Sequence, residues 1–274
     1  SAYTEFDKGT SIEKVSAVYH DDDKAFPGAD VIIKNGYSTL INHIAENLDI
    51  DLNTRVKSIN TNLGKVIEIQ TEKEIYNCDF VICSVPLGVL KAKSIKFIPE
   101  LPNKFKESIE KIGFGSVTKI AHRFDKPFWD TKIQYFGINT KEKGRWNYWL
   151  NYRTFCNENI LLGLSVGDYA FIADNFSERK KKADSLNVLR NIWGKDITEP
   201  NKSISTNWSN NQNFLGAYSY TKPGATPKDY ANLSKPVNNK LFFCGEHTIF
   251  DYSATTHGAL LSGLNVAGKI IETS

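Results

Sequence analysis

The sequence has little of what would place a protein in a membrane or on nucleic acid. No stretch of its 274 residues approaches the roughly 20 consecutive apolar residues that a membrane span needs. Its 34 Lys and Arg exceed its 31 Asp and Glu so slightly that the formal charge of +3 predicts neither a nucleic-acid nor a membrane partner. A hydrophobic share of 41% and an aromatic share of 12% predict a packed globular protein instead.

Cysteine and methionine are also scarce. The four cysteines, Cys78, Cys83, Cys156 and Cys244, lack the spacing of metal ligands, and three of them lie in or beside apolar runs that predict strands. Reduced, buried thiols are common in such runs, so we expect an intracellular, cytoplasmic setting. The sequence contains no methionine and starts at Ser1, which favours a piece of a longer protein.

Hydrophobic periodicity in the first half predicts strands and helices together. Residues 31–33 predict a strand that leads through Asn35-Gly36 into a helix with Leu40, Ile41 and Ile44 on one face. Three alternating segments, 55–59, 66–69 and 74–76, are typical of an antiparallel meander. Residues 80–85 form an apolar run stopped by Pro86, which predicts a strand buried on both faces and therefore a parallel sheet.

The second half continues the mixed pattern. We expect helices over 103–112 and from Ser177 onward, where the lysine-rich run 179–182 is a solvated helix face. Strands are predicted over 117–124, 148–150, 160–165 and 240–244, and the first of these carries Lys119. The fold class is therefore mixed α/β.

The strongest local signal is a strand, then Gly245-Glu246-His247, a short loop, and a helix capped by Thr255 or Thr256. A helix N-terminus presents unpaired N–H groups that suit an anionic ligand atom. Alone this signal is weak, because strand–loop–helix units with glycine are widespread and most capped helices bind nothing.

Longer motifs carry a family resemblance. Gly245-Glu246-His247-Thr248 precedes a helix that opens Ala254-Thr255-Thr256-His257-Gly258. Six further motifs follow the same order, namely Asn35-Gly36-Tyr37, Leu52-Asn53-Thr54-Arg55-Val56, Val85-Pro86-Leu87-Gly88-Val89-Leu90-Lys91, Gly113-Phe114-Gly115 with Lys119, Phe128-Trp129, and Gly216-Ala217-Tyr218-Ser219-Tyr220. From about Tyr19 onward the chain resembles flavin-dependent amine oxidases, in the branch with polyamine oxidases, spermine oxidase and the lysine-specific histone demethylase.

The resemblance implies an FAD cofactor and a set of positions around it. Lys119 matches the lysine that holds a water against flavin N5, although on its own it would be read as a solvent-facing strand lysine. The other positions that the resemblance places along the cofactor are Val56, Pro86, Leu87, Trp208, Gly245, Glu246, Ala254, Thr255 and Thr256. The backbone N–H near Thr256 matches a donor to the flavin pyrimidine carbonyl, which would stabilise negative charge on the reduced ring.

The resemblance also implies a substrate cavity. Trp208 and Tyr218 match aromatics that line it beside the flavin, although buried aromatics are more often core. Thr255 stands where many family members place a second aromatic, so we expect a half-open cage that suits a secondary or bulky amine. Asp21, Asp22 and Asp23 match acidic residues at a cavity entrance, with an acidic surface turn as an equal alternative.

One family element is missing from the sequence. No Gly-x-Gly-x-x-Gly follows a predicted strand, whereas the family keeps this dinucleotide-binding motif near its N-terminus. Either residue 1 is an artificial or proteolytic start, or another piece of an assembly supplies this N-terminal dinucleotide-binding segment. The expected architecture is an incomplete FAD-binding domain over 26–115 and 236–274, interleaved with a substrate domain over 1–25 and 116–235 that is built on a mixed sheet.

The implied reaction is hydride removal from the carbon next to an uncharged amine, with reoxidation by oxygen to hydrogen peroxide. A polyamine or similar small amine is the first substrate class that we expect, and peptidyl methyl-lysine is the alternative, which would imply a nuclear setting. The third alternative is a flavin-free binding module. Metal ligands are not expected, since His20, His43, His122 and His257 show no ligand spacing.

Overall fold

A computed structural model describes residues 2–22, 24–29, 31–64 and 66–273. The helices are α1 Ala2–Lys8, α2 Tyr37–Ile44, α3 Leu87–Lys91, α4 Asn103–Lys111, α5 Asp168–Asp174, α6 Glu178–Trp193, α7 Pro227–Leu233 and α8 Thr256–Thr273. The strands are β1 Val56–Leu63, β2 Val66–Thr71, β3 Ile75–Cys78, β4 Val81–Cys83, β5 Lys96–Ile98, β6 Gly113–Phe114, β7 Val117–Arg123, β8 Tyr135–Gly137, β9 Tyr148–Asn151, β10 Ile160–Val166, β11 Lys202–Ser205, β12 Ser219–Tyr220 and β13 Leu241–Phe243. The predicted mixture of helix and sheet is confirmed.

The first sheet has the order β3-β2-β1-β5. Strands β1, β2 and β3 pair antiparallel, which confirms the predicted meander. Strand β5 joins β1 in parallel, with Ser58 opposite Lys96. The side chains of Ile59 and Ile67 pack in a core with α3, α4 and α7, where Leu87 and Tyr230 are fully buried. This core fixes the beginnings of β1 and α3 relative to each other.

The second sheet, β11-β7-β10-β9-β8, is antiparallel at every pair that the structure describes. The predicted mixed sheet for this half is therefore wrong. One physical reason is the short connection from β9 to β10, residues 152–159, whereas a parallel pair would need a crossover of about a dozen residues or more. Trp146 and Trp149 fill the core between this sheet and α6.

Strands β4 and β13 form a short parallel pair, with Phe243 opposite Cys83, as residues 80–85 predicted. Burial on both faces is not observed, because Ile82 is 43% exposed. Residues 31–33 were predicted to be a strand and are not one, since no described strand pairs with them and Val31 is 81% exposed. Helix α2 likewise has no buried residue. The apolar side chains of residues 31–33 and of α2 are therefore largely exposed among the described residues.

Local signals set the helix boundaries. The Ser177 side chain accepts a hydrogen bond from Lys180 N and caps α6, which ends at Gly194 with φ 102°. Thr226 and Asp229 form a capping box on α7. Across the described residues, no helix combines the length and apolar character required to cross a membrane.

His122 is a buried polar residue that β7 places between α6 and β11. Its ring nitrogens lie 2.8 Å from the hydroxyls of Ser185 and Ser203, and its side chain is fully buried. Desolvation lowers the pKa of His122 from 6.5 to about 4, and the charge of Lys182 acts in the same direction. His122 therefore stays neutral in the folded protein at pH 5, where an unfolded chain would protonate it.

His122→Gln should change how the stability depends on pH. Between pH 6.5 and 4 the unfolded state binds the His122 proton and the folded state does not, so the free energy of unfolding falls as the pH falls. From pH 7 to pH 5 the wild type should lose about 2 kcal/mol relative to the glutamine variant, at about 1.4 kcal/mol per pH unit. Urea unfolding at both pH values measures the difference, and parallel pH curves for the two proteins would contradict it.

Candidate active site

Lys119 lies in the middle of β7, held on both sides by antiparallel neighbours. Its backbone N–H donates to Thr206 Oγ1 at 2.9 Å, and its carbonyl accepts from Thr206 N at 2.9 Å. Surrounding protein desolvates the amine and lowers the pKa of Lys119, yet the side chain keeps substantial solvent access. We interpret this as an amine that protein surrounds in part and solvent still reaches. Among the described residues none provides a hydrogen-bond or ion-pair partner for Nζ.

Tyr218 lies on the same face of this sheet as Lys119. Leu164 is directly opposite Lys119, so both point to one face, and Leu164 packs in a cluster with Val117 and Tyr218. The Tyr218 hydroxyl donates to the carbonyl of Phe6, and burial raises the pKa of Tyr218, with a smaller contribution from the charge of Asp7. The structure thus brings together Lys119 and the predicted substrate-side aromatic.

Glu246 connects this sheet face to the start of α8. Its carboxylate is mostly buried and accepts from Ser219 Oγ at 2.6 Å, from Ser219 N at 3.2 Å and from Ala254 N at 2.7 Å. Desolvation raises the pKa of Glu246, and these three donors act against that rise. Because Ser219 follows Tyr218 and Ala254 precedes Thr255, one carboxylate fixes the aromatic wall relative to the α8 turn. The resemblance predicts that Glu246 lies along the cofactor. In the structure its carboxylate is hydrogen-bonded to Ser219 and Ala254 within the protein.

The turn into α8 is tightly constrained. Ala254 is left-handed at φ 61°, and Thr255 Oγ1 donates to Tyr252 O at 2.7 Å while it accepts from Gly258 N at 2.9 Å. A Cβ on Gly258 would lie 2.0 Å from Tyr252 O, so only glycine fits. The capping side chain is therefore Thr255, and the helix begins at Thr256.

Unpaired polar atoms gather at this turn. Within the described parts of the chain, the backbone N–H groups of Thr256 and His257 have no acceptor. The Nε2 atoms of His247 and His257 are buried, and the described residues offer them no hydrogen-bond partner. Desolvation lowers the pKa of His247 to about 4, so this ring is neutral. The two Nε2 atoms are costly to bury without a partner, whereas Thr256 is exposed and its N–H is open to solvent or to a ligand.

The acidic residues lie beside the same turn. Lys24 donates through its backbone N to Asp251 O and through Nζ to Asp251 Oδ2, each at 2.6 Å, which holds this segment against the loop before α8. Asp21 and Asp22 are exposed at its start. Asp23 lies outside the described residues. Phe26 stacks on Tyr252 with a centroid distance of 5.0 Å, a contact that the sequence did not indicate.

Val56, Pro86 and Leu87 meet at the edge of the first core. Val56 begins β1 and packs against this core, and Pro86 precedes α3. Leu87 is fully buried as a whole residue, so none of its atoms is open to solvent. A Cβ on Gly88 would lie 2.3 Å from Phe214 O, which places α3 directly against the loop that follows Trp208.

Trp208 is the more exposed of the two predicted site aromatics, at 37%. Its ring meets Phe214 edge-on at a centroid distance of 4.9 Å, and its carbonyl accepts from Gly216 N at 3.3 Å. Two charged side chains near it, Asp174 and Lys181, are buried. No motif marks Asp174, and the prediction of a solvated face over 179–182 is wrong for Lys181, whose Nζ bonds to Thr206 O. Nowhere in the described parts of the chain do three or more His, Cys, Asp or Glu residues gather as a potential metal site.

Comparison with known families gives one match over most of the chain. The model of the family described as flavin containing amine oxidoreductase matches residues 4–271. A lysine-specific histone demethylase 1 homolog 3 of Arabidopsis thaliana is 34% identical over 287 residues, covering 99% of this chain and 18% of the relative. A possible lysine-specific histone demethylase 1 of Drosophila melanogaster is 32% identical over 302 residues, covering 99% of this chain and 34% of the relative.

The solved structures show the same fold. A putrescine oxidase bound to putrescine superposes with a TM-score of 0.73 at 20% identity, covering 87% of this chain and 53% of that one. The chain therefore spans about half of that structure and about a third or less of the curated relatives named above.

Proposed function

Because the chain belongs to the flavin-containing amine oxidoreductase family, whose cofactor is FAD, we propose that it builds the ring-side cofactor site and substrate wall of an amine oxidase. The substrate class that we propose is a polyamine or a similar secondary amine. One observation carries the proposal: Glu246 ties Ser219, which follows Tyr218 on the Lys119 sheet face, to the turn at the N-terminus of α8.

The residues present fit the ring end of FAD. The free N–H groups of Thr256 and His257 match the carbonyl acceptors of a flavin pyrimidine ring, and the α8 dipole favours negative charge there. The absence of a Cβ at Gly258 lets the turn close. Bound FAD supplies the redox chemistry, taking a hydride from the carbon next to an uncharged amine and passing electrons to oxygen to give hydrogen peroxide.

The role that we propose for Lys119 is to hold a water and to take part in proton transfer. Desolvation lowers its pKa, and no described residue bonds to Nζ, so the amine can hold a water on this face of the sheet. The β7 ladder fixes its backbone, so the water is held at one place rather than over a range of positions. Lys119 is the catalytic residue that we propose.

Tyr218, Trp208 and Thr255 shape the amine pocket. Tyr218 is fixed by its hydroxyl contact to the Phe6 carbonyl, and Trp208 keeps one open face. The Thr255 hydroxyl is hydrogen-bonded within the turn, to Tyr252 O and Gly258 N, and does not bond to the substrate. The side of the proposed pocket opposite Tyr218 is therefore open. A half-open pocket accommodates a substituted nitrogen better than a closed aromatic cage does.

The proposed domains are 26–115 with 236–274 for FAD, and 1–25 with 116–235 for substrate. The parallel pairing of β13 with β4 joins the two halves of the first. In the second, Phe6 stacks on Tyr148 with a centroid distance of 5.4 Å, and Gly9 O accepts from Ser116 N at 2.9 Å. These contacts of Phe6 and Gly9 support grouping the N-terminal helix with the antiparallel sheet.

Peroxide formation tests the substrate class. The full natural protein, loaded with FAD, should release hydrogen peroxide when given spermine, spermidine or their acetylated forms. The coupled peroxidase signal gives kcat and KM for each amine. Silence on all of them would contradict the polyamine assignment.

Demethylation of peptidyl lysine is the second candidate, favoured by relatives named as histone demethylases and by the acidic segment at the α8 turn. Exposed Asp21 and Asp22 would attract a basic peptide. This candidate predicts formaldehyde release from methylated histone-tail peptides and a nuclear location. Activity on peptides with none on free polyamines would replace the first candidate by the second.

The 274-residue chain by itself should bind FAD weakly and be inactive. The contacts that we propose lie at the ring end, and they alone must offset the entropy lost when FAD is ordered. A flavin titration followed by fluorescence quenching measures this affinity. Tight saturation would contradict the expectation, and a colourless full natural protein after added FAD would favour a flavin-free binding module.

A further inference from the structure

The segment 206–209, which carries Trp208, is hydrogen-bonded to two buried side chains of opposite charge. Asp174 ends α5 and is 2% exposed, and Lys181 lies in α6 and is fully buried. Neither carries a role in the proposed reaction. Burying a charge is costly unless it is bonded, so the partners of both side chains indicate what they do.

Asp174 binds the segment at one end and the catalytic strand at the other. Its Oδ2 accepts from Ser209 N at 2.8 Å and from Ser209 Oγ at 2.6 Å. Its Oδ1 lies 2.6 Å from Thr118 Oγ1, and Thr118 is the residue before Lys119. The Asp174 carbonyl also accepts from Asn210 Nδ2 at 3.1 Å. One carboxylate thus links the residue after Trp208 to the residue before Lys119.

Lys181 binds the other end of the segment. Its Nζ donates to Thr206 O at 2.9 Å. Thr206 is also bonded to the backbone of Lys119: its N–H donates to Lys119 O, and its Oγ1 accepts from Lys119 N, each at 2.9 Å. Trp208 therefore lies between two points, Thr206 and Ser209, that are both tied to β7.

We propose that Asp174 and Lys181 are positioning residues that hold Trp208 at a fixed place relative to Lys119. Only Asn207 and Trp208 separate the two anchored residues, so little backbone freedom remains between them. The effect on catalysis rests on the proposed function, in which Trp208 lines the amine pocket. The anchoring itself concerns only this chain.

The test uses the full natural protein, loaded with FAD and labelled with 5-fluorotryptophan. Fluorine NMR should give one resonance for each of the five tryptophans within this chain, and Trp208→Phe identifies the Trp208 signal. In Asp174→Ala that signal should shift and broaden. KM for the amine should rise about tenfold, which corresponds to ~1.4 kcal/mol, while kcat changes by less than about threefold. Asp174→Asn, which retains one oxygen, should recover most of both effects.

Asp184 offers a matched control. It is another carboxylate bonded to a tryptophan, since its Oδ2 accepts from Trp146 Nε1 at 2.7 Å. Asp184→Asn should move the Trp146 resonance and leave the Trp208 resonance and KM unchanged.

Two results would overturn the proposal. The first is an Asp174→Ala protein that unfolds at a lower temperature yet keeps its Trp208 resonance and its KM, because the carboxylate would then be merely structural. The second applies if that variant does not fold: unchanged Trp208 resonances in both Ser209→Ala and Lys181→Met would exclude anchoring. A wild type that oxidised no amine would contradict the proposed function, and the Trp208 resonance would still decide whether these side chains hold the ring.

Discussion

Lys119→Met in the FAD-loaded enzyme should slow flavin reduction or reoxidation roughly a hundredfold, the lower end of what a positioned proton-transfer group contributes. Methionine keeps the length of the side chain and removes the amine that we place at the water. The fold should be spared, because the Lys119 side chain bonds to no described residue and its backbone ladder is unchanged. Stopped-flow absorbance with amine, and then with oxygen, separates the two half-reactions.

Lys202→Met is the matched control for this substitution. Lys202 is an exposed lysine on β11, the strand next to β7, and it lies opposite Arg123 at the sheet edge. The same change there should leave both half-reactions within about twofold, as surface substitutions usually do. Equal kinetics for Lys119→Met and the wild type would remove Lys119 from the site.

Gly258→Ala should reduce FAD affinity about tenfold to a hundredfold and lower the unfolding temperature. The added Cβ would lie 2.0 Å from Tyr252 O and 2.9 Å from Thr255 Oγ1, so the turn that aims the Thr256 and His257 N–H groups must shift. Overpacking of this kind costs about 1–3 kcal/mol, and here the strain falls on backbone atoms, which cannot rotate away. Visible flavin absorbance during an FAD titration measures the affinity.

Gly268→Ala provides the comparison within the same helix. Nothing lies within 4 Å of a Cβ at Gly268, and an alanine in a helix interior is favoured over glycine by up to about 1 kcal/mol. Its flavin spectrum should match the wild type and its unfolding temperature should not fall. If Gly258→Ala also kept a wild-type flavin affinity, the α8 turn would not be the ring-side site.

Sequence reasoning predicted the elements whose signals are local. Pro86 after an apolar run marked the parallel strand β4, and the alternation in 55–59 and 66–69 marked β1 and β2. The predicted cap, Thr255 or Thr256, located the start of α8, and the structure assigns the cap to Thr255. In each case neighbours in the sequence determine the geometry, so no tertiary information was needed.

Polar contacts between residues far apart in the chain could not be predicted from the sequence. Glu246 was assigned to the cofactor by resemblance, and nothing in its neighbourhood indicated that Ser219, 27 residues earlier, would occupy its carboxylate. Asp174 lies 35 residues from Ser209 and 56 from Thr118, and no local motif connects these positions. Residues 31–33 were misread for the opposite reason: their β-branched run has strand propensity, but no described strand lies beside them.

A crystal structure of the FAD-loaded protein tests the central claim most directly, through the positions of Lys119 Nζ and Thr256 N around the flavin ring. The account predicts Nζ within one bridging water of flavin N5, roughly 5–6 Å, and the Thr256 N–H within about 3 Å of a pyrimidine carbonyl oxygen. A flavin ring lying elsewhere, with Lys119 Nζ farther from N5 than a single water can span, would contradict it.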